Sequence, residues 1–186
     1  KDIASAAELA KKIDIPFEVV DCANEFEDFI LKYFRSELGI GRTPNPCVEC
    51  NRLMKFGLLL DTVKKKFAFD KYATGHYASV TQADGRFILS RAADKKKDQS
   101  YFLWSLSQEQ LSNVIFPLGG MHKDEVRSIA RKYSLSAADK SDSQDFYSGD
   151  TNELLDFPVK KGKFISCDGK VLGEHNGFWN FTVGQR

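Results

Sequence analysis

Cys47 and Cys50 stand at C-x-x-C spacing at the end of Gly41-Arg-Thr-Pro-Asn-Pro-Cys-Val-Glu-Cys50, where a helical pattern begins. Pro44 and Pro46 fix φ near about −65° and push Thr43 and Asn45 toward extended geometry, so the spacing predicts a stiff loop delivering two thiols to a helix start. Helix-start N–H groups and the macrodipole favour a thiolate, and Arg42, Arg52 and Lys55 add positive charge. This is the local chemistry of a reactive cysteine. On the residues alone four uses stay open: half of a zinc site, a redox disulfide, two structural thiols, and a catalytic thiol or iron–sulfur ligand. The zinc reading lacks partners, because Cys22, Cys167 and the three histidines are not paired at finger-like spacings.

Two further groups carry chemistry. His76 follows a strand pattern and Gly75, at the edge where ligands of parallel sheets bind. Lys97-Asp98-Gln99 closes a lysine run (Lys95 to Lys97) and leads into aromatics, a pattern suited to phosphates and a base edge or to a solvated turn. His122, His175 and Cys167 have no such context and read as structural or surface residues.

The elements that must position these groups follow from periodicity. Ile3, Ala6, Ala10 and Ile13 predict a first helix, capped by Asp2 and ended by Pro16, with a strand at Phe17 to Val20. Phe26, Phe29, Ile30, Tyr33 and Phe34 make the stripe of a second helix, and Leu53, Phe56, Leu60, Val63 and Phe67 that of a third. Lys64 to Lys66 read as its solvated end. Lys71 to Thr74 is the next strand. The alternation is that of a parallel α/β sheet. Ala78 to Thr81 and Arg86 to Ser90 form a hairpin through Asp84-Gly85, and helices follow at Leu106 to Ile115 and Val126 to Tyr133. Asp139 to Asp150 is polar and loop-like. Lys163 to Ser166 and Lys170 to Gly173 predict a second hairpin around Asp168-Gly169, so a β-rich domain is expected beyond a boundary at residues 150 to 160.

Composition bounds the rest. At 186 residues, 42% hydrophobic and 28% charged, the chain is of soluble globular type. No apolar run approaches the roughly 20 residues of a membrane span, and no signal peptide is visible. Four scattered cysteines are too few for a disulfide scaffold and suit reduced, cytoplasmic thiols. A net charge of +1 neither demands nor excludes a nucleic-acid partner. Beginning at Lys1 in a helical pattern and stopping at Arg186 in a strand-rich one, the chain reads as part of a longer protein.

Taken together, Gly41-x-Thr-Pro-Asn-Pro-x-x-x-Cys-Asn-x-x-x-Lys-Phe56, Ala73-Thr-Gly-His-Tyr77, Lys97-Asp-Gln-Ser-Tyr-Phe-Leu103, Phe116-Pro-Leu-Gly119, Asp142-Ser-Gln144, Gly173-Glu-His-x-Gly177 and Thr182-x-Gly-Gln-Arg186 resemble the bacterial and organellar tRNA-specific 2-thiouridylases. The order and spacing agree over nearly the whole chain. The resemblance implies an ATP pyrophosphatase domain of adenine-nucleotide hydrolase type, Rossmann-like, whose later part would be residues 1–150. The start of a small β-rich central domain would be residues 151–186. The family's Ser-Gly-Gly-x-Asp-Ser phosphate loop and its C-terminal β-barrel are not in this sequence.

The resemblance further implies ATP with Mg2+, adenylation of C2 of the wobble uridine, and sulfur delivered by a cysteine thiolate or persulfide, or through a [4Fe–4S] cluster. Cys50 matches the family's nucleophile, Asn45, Pro46 and Cys47 match the residues that line the flipped base, and Gly75 matches a backbone contact to ATP. His76, Lys97, Asp98 and Gln99 match tRNA contacts. The implied partners are tRNAs of the Lys, Glu and Gln type and a sulfur donor such as a cysteine desulfurase or sulfur relay, with no membrane partner. One departure stands out: the family's Asp-Ser-x-x-Ile-Cys-Phe segment reads Asp142-Ser-Gln-Asp-Phe-Tyr-Ser148, with Tyr147 at the position of the second cysteine. Cys47 and Cys50 are therefore expected to share a disulfide/persulfide cycle or to ligate a cluster. A non-catalytic tRNA-binding relative and a zinc-stabilised interaction domain are the alternatives.

Overall fold

The computed structural model describes residues 2–135, 138, 146–147 and 151–185, without the side chains of 2 and 151. Contacts divide the chain into two compact units, Lys1–Ala23 with Asn51–Asp142, and Asn24–Cys50 with Ser143–Arg186.

The first unit is built on a parallel strand pair. β1 (Tyr72–Ala73) lies beside β4 (Val114–Ile115), with Tyr72 opposite Val114. Between them run the hairpin β2 (Ala78–Ala83) and β3 (Arg86–Arg91), then helix α6 (Gln108–Asn113). Asp84 and Gly85 have φ of 50° and 74°, so both central residues are left-handed, as a two-residue hairpin turn with right-twisted strands requires. Phe56, Ala78, Leu103, Leu106, Leu111, Val114 and Phe116 form one buried cluster, with Tyr72, Val80, Phe87 and Leu89 packed against it.

Helices α1 (Asp2–Lys12) and α7 (Lys123–Lys132) complete the unit and end alike. Asp14 (φ 55°) and Ser134 (φ 50°) are left-handed. In α1 the Ile15 and Asp14 amides reach back to the Ala10 and Lys11 carbonyls; in α7 those of Leu135 and Ser134 reach Ala130 and Arg131. Both are Schellman closures without the usual glycine. α1 thus stops at Lys12, four residues before Pro16 could end it, and the expected Asp2 cap lies outside the described side chains.

Two expectations need correction here. Phe17 to Val20 joins no ladder among the described residues, and Phe17 and Val19 are exposed. An apolar run becomes a strand only where a neighbour takes its backbone hydrogen bonds, and β1 pairs with β4 alone. Leu106 to Ile115 is not one helix: the Ser107/Gln110 capping box starts α6 at Gln108, and Val114–Ile115 leave it as β4. The β-branched pair gains a ladder with β1 and a buried Val114.

The second unit holds α2 (Ala23–Phe26), which widens into a π-helical segment (Glu27–Leu31) and continues as α3 (Lys32–Gly39). Ile30, Phe34 and Leu38 are its buried face, and Phe34 packs on Phe146 with ring centroids 4.8 Å apart. Strands β5 (Gly162–Ile165) and β6 (Val171–His175) make the expected hairpin, with Gly169 left-handed in the turn. The Asp139 to Asp150 segment, including Asp142 to Gln144, lies outside the described residues apart from Phe146 and Tyr147.

Candidate functional site

The cysteine segment begins where α3 ends. Gly41 has φ of 77°, its N–H bonds the Leu38 carbonyl at 3.0 Å and that of Arg42 bonds Glu37 at 2.9 Å, a third Schellman closure. Arg42 pairs with Glu37 at 3.6 Å, so part of the positive charge expected beside the thiols is neutralised. The Tyr33 hydroxyl accepts the Asn45 N–H at 3.2 Å, and Asn45 Oδ1 accepts the Val48 N–H at 3.3 Å. Asn45 is therefore the N-cap, and Pro46 is the first residue of α4 (Pro46–Glu49). The tyrosine and the cap hold the loop rigid, as its prolines predict.

Cys47 sits in the first turn of α4. Cys50 follows one turn on, its N–H shared between the Cys47 and Pro46 carbonyls, where the helix widens into a π-helical segment (Cys50–Leu58) before α5 (Leu59–Lys66). Both side chains are half-buried thiols. A π-helical turn is uncommon and recurs at functional sites, because it re-aims side chains relative to the regular helix. It also explains why the expected stripe shifts: Asn51, Met54, Phe56 and Leu60 are buried, while Leu53 and Val63 are only half-buried and Phe67 lies beyond the helix, exposed.

Gly75 is exposed just past the carboxyl end of β1, with Thr74 N–H still bonded to the Ile115 carbonyl at 3.3 Å. His76 Nδ1 lies 2.8 Å from Thr74 Oγ1, and its ring packs on Phe56 and Phe116 at 5.6 and 5.9 Å. Burial, aided by the Lys55 charge, pushes its pKa down to about 4, so the imidazole is neutral at neutral pH. It can meet a ligand as a hydrogen-bonding group but not as a cation.

Gln99 is tied to the same place: its Oε1 accepts the Tyr77 N–H at 3.0 Å and its own N–H reaches the Tyr77 carbonyl at 2.8 Å. Asp98 Oδ1 accepts the N–H groups of Ala92 and Ser100 at 3.0 and 3.3 Å, and Oδ2 accepts the Ser100 hydroxyl at 2.9 Å. Burial would raise its pKa, but these donors and Arg91 hold it below the ordinary value. Asp94 ties the loop at its other end, accepting from Lys96 N–H at 3.1 Å and Lys123 N–H at 3.0 Å. The structure thus brings Gly75, His76 and Gln99 together at one strand end and makes Asp98 an organiser of the loop that carries Lys97.

Sequence reasoning missed several residues that build this region. Asp94 was legible as an Asx-turn residue ahead of three lysines. Asn51 follows Cys50 directly, is 2% exposed and donates from Nδ2 to the Phe102 carbonyl at 2.9 Å. Gln110 Nε2 donates to the Arg52 and Phe56 carbonyls of the π-helical segment at 3.0 and 2.9 Å. No local signal marks Asn51 or Gln110. Tyr147 donates its hydroxyl to Glu153 at 2.6 Å.

Among the described residues no group of three His, Cys, Asp or Glu side chains could hold an ion, so Cys47 and Cys50 do not make a zinc or [4Fe–4S] site with them. No helix of the described residues is long and apolar enough to cross a membrane.

A parallel strand pair with Gly75 and His76 just past the carboxyl end of β1, and with helices around it, is of the α/β class. A family model described as the tRNA methyl transferase HUP domain matches residues 1–147, and one described as the tRNA methyl transferase PRC-barrel domain matches residues 155–186. The tRNA-specific 2-thiouridylase MnmA of Endomicrobium trichonymphae is 48% identical over 189 residues, which cover 100% of this chain and 52% of the relative. Those of Geotalea uraniireducens and a Picosynechococcus strain are 45% and 42% identical, covering 100% and 99% of this chain and 51% and 54% of theirs. The chain belongs to the tRNA-specific 2-thiouridylase family. It spans about half the length of the curated relatives it matches.

Proposed function

We propose that this chain serves an ATP-dependent tRNA-uridine 2-sulfurtransferase that makes 2-thiouridine at the wobble position. The observation that carries the reading is the pair of half-buried thiols, Cys47 and Cys50, one turn apart behind the Asn45 cap, in a chain up to 48% identical to named 2-thiouridylases. We assign residues 1–150 to the catalytic ATP pyrophosphatase domain and 151–186 to the β-rich central domain, in keeping with the residues that the two family models match. A cytoplasmic setting suits the thiols.

In this reading the uridine C2 oxygen attacks the α-phosphorus of ATP, pyrophosphate leaves, and C2 carries AMP as its leaving group. Mg2+ would accompany the nucleotide. Gly75, exposed at the strand end, offers backbone to ATP, and His76, Lys97, Asp98 and Gln99 meet tRNA. Of these, His76 acts as a neutral hydrogen-bonding group, and Asp98 mainly holds Lys97 and Gln99 in place. Asn45, Pro46 and Cys47 line the flipped base. The terminal sulfur of a Cys50 persulfide attacks C2 and expels AMP. The Cys47 thiolate then attacks Cys50 Sγ, breaking the S–S bond and releasing 2-thiouridine with a Cys47–Cys50 disulfide behind it. An external dithiol reduces that disulfide, and a persulfide-donating protein reloads Cys50. This cycle needs no second cysteine at position 147.

Tyr147 favours one second reading, a tRNA-binding relative without sulfur transfer, since a phenol carries no sulfane sulfur. Incubating full-length protein, ATP and unmodified tRNA separates the two. The enzyme releases pyrophosphate only with tRNA bearing a wobble uridine. Pyrophosphate release indifferent to that base, or none at all, refutes adenylation.

A further inference from the structure

The segment that follows the lysine loop presents two large aromatic side chains to solvent, and the core does not need them. Leu103 is fully buried in the 3₁₀ turn Ser100–Leu103 and Leu106 is buried beyond it, while Tyr101 in the turn and Trp104 just past it are 64% and 68% exposed. The backbone between them is held in place. The Asn51 amide donates to the Phe102 carbonyl, Phe102 N–H reaches Gln99 at 3.0 Å, and Leu106 N–H reaches Leu103 at 3.1 Å. Phe102 lies edge-on to Tyr101 with centroids 5.4 Å apart, which limits the tyrosine ring further. Rings held this way lose little freedom when something stacks on them.

Charge selects what stacks. Lys95 and Lys96 are exposed in the turn just before the aromatics, and Arg91 is exposed at the end of β3. The two carboxylates of this loop, Asp94 and Asp98, spend their oxygens on backbone N–H groups and the Ser100 hydroxyl. Arg91 lies 4.0 Å from Asp98 and is so partly neutralised, which leaves Lys95 and Lys96 as the cations offered. What faces solvent is therefore cationic beside aromatic. That pairing suits single-stranded nucleic acid, where phosphates meet the cations and every base offers a π-face. An apolar protein partner would have no use for the lysines.

We propose that Trp104 and Tyr101 form a stacking platform for unpaired RNA bases, with Lys95 and Lys96 holding the adjoining phosphates. It deepens the tRNA reading above and rests on it, adding two residues to those already placed near tRNA.

The test uses the full-length protein with Trp179→Phe, which leaves Trp104 as the only tryptophan of these 186 residues, any tryptophan elsewhere being likewise replaced by Phe. The probes are an RNA hairpin with a seven-nucleotide unpaired loop and a blunt RNA duplex with the same number of phosphates. Binding of the hairpin should quench Trp104 emission and the duplex should not. Trp104→Ala should weaken hairpin binding roughly tenfold, with Trp104→Phe close to the parent, as for base-stacking aromatics elsewhere. The salt slope of binding should be unchanged in Trp104→Ala and shallower in a Lys95→Gln/Lys96→Gln variant. Hairpin binding with unmoved emission, or with full affinity in Trp104→Ala, overturns the platform and leaves the tRNA reading standing. Failure of the parent to bind either RNA overturns both. Since Trp104 projects from the surface, matching melting curves for the variants establish that the fold is intact.

Discussion

Gln110 does three jobs with one side chain, and Gln110→Leu removes them all at nearly constant volume. Its Oε1 caps α6 by accepting the Ser107 N–H at 2.9 Å, and its Nε2 serves the Arg52 and Phe56 carbonyls of the π-helical segment. A π-helical stretch has poorer hydrogen-bond geometry than an α-helix, so outside donors help decide whether it persists. Two part-buried hydrogen bonds and one exposed one at a net of about 1 kcal/mol each, less what the leucine regains by packing, put the loss at about 2–3 kcal/mol. For a chain of this size that lowers the melting temperature by roughly 4–12 °C. Circular-dichroism melting measures the total. Amide exchange locates it, with protection lost first between residues 52 and 58. A drop below about 1 kcal/mol, or one without faster exchange there, would show that the segment does not depend on Gln110.

Other expectations are as direct. A Cβ on Gly119 would stand 2.1 Å from the Ala78 carbonyl oxygen, so Gly119→Ala must displace backbone; soluble yield and melting should show a loss of at least about 3 kcal/mol, and a neutral result would refute the packing. His76 is held neutral by its surroundings, so the unfolded chain binds the proton first. Stability should be full above pH 6.5 and fall as pH drops toward about 4, with a loss near 1–2 kcal/mol at pH 5 after allowing for part exposure. Urea titrations at pH 7 and pH 5 should show this slope flattened in His76→Gln, and an equal slope would contradict the burial. Asp14 and Ser134 close their helices left-handed without glycine, so Asp14→Gly or Ser134→Gly should each raise stability by about 0.5–1 kcal/mol in the same titration.

How much of this was legible in the residues depends on the range of the interaction. Both hairpins were, because Asp84-Gly85 and Asp168-Gly169 specify their turns locally. So was the stiff loop before the cysteines, since Pro44 and Pro46 act on their immediate neighbours, although the helix starts at Pro46, behind the Asn45 cap, and so takes in both thiols. The fate of Phe17 to Val20 and of Val114–Ile115 was not: each has strand-forming residues, and only the presence of a ladder partner separates them. The π-helical segments escaped because a period of 3.6 assumes regular bonding, and the extra residue moves the buried face from Leu53 to Asn51 and Met54. For the candidate site, the motif residues were visible, but the bonds that commit Asp98 and Gln99 to the loop depend on Ala92 and Tyr77, which carry no signal of that role.

The most direct measurement is nucleoside mass spectrometry of tRNA after incubation with the full-length protein, ATP and a persulfide donor, alongside Cys50→Ala and Cys47→Ala. The account predicts 2-thiouridine with the parent and none with Cys50→Ala. Cys47→Ala should give at most one equivalent per enzyme, trapped as a mixed disulfide that an added dithiol releases. Full turnover by Cys50→Ala, or no 2-thiouridine from the parent while AMP still forms, would contradict it.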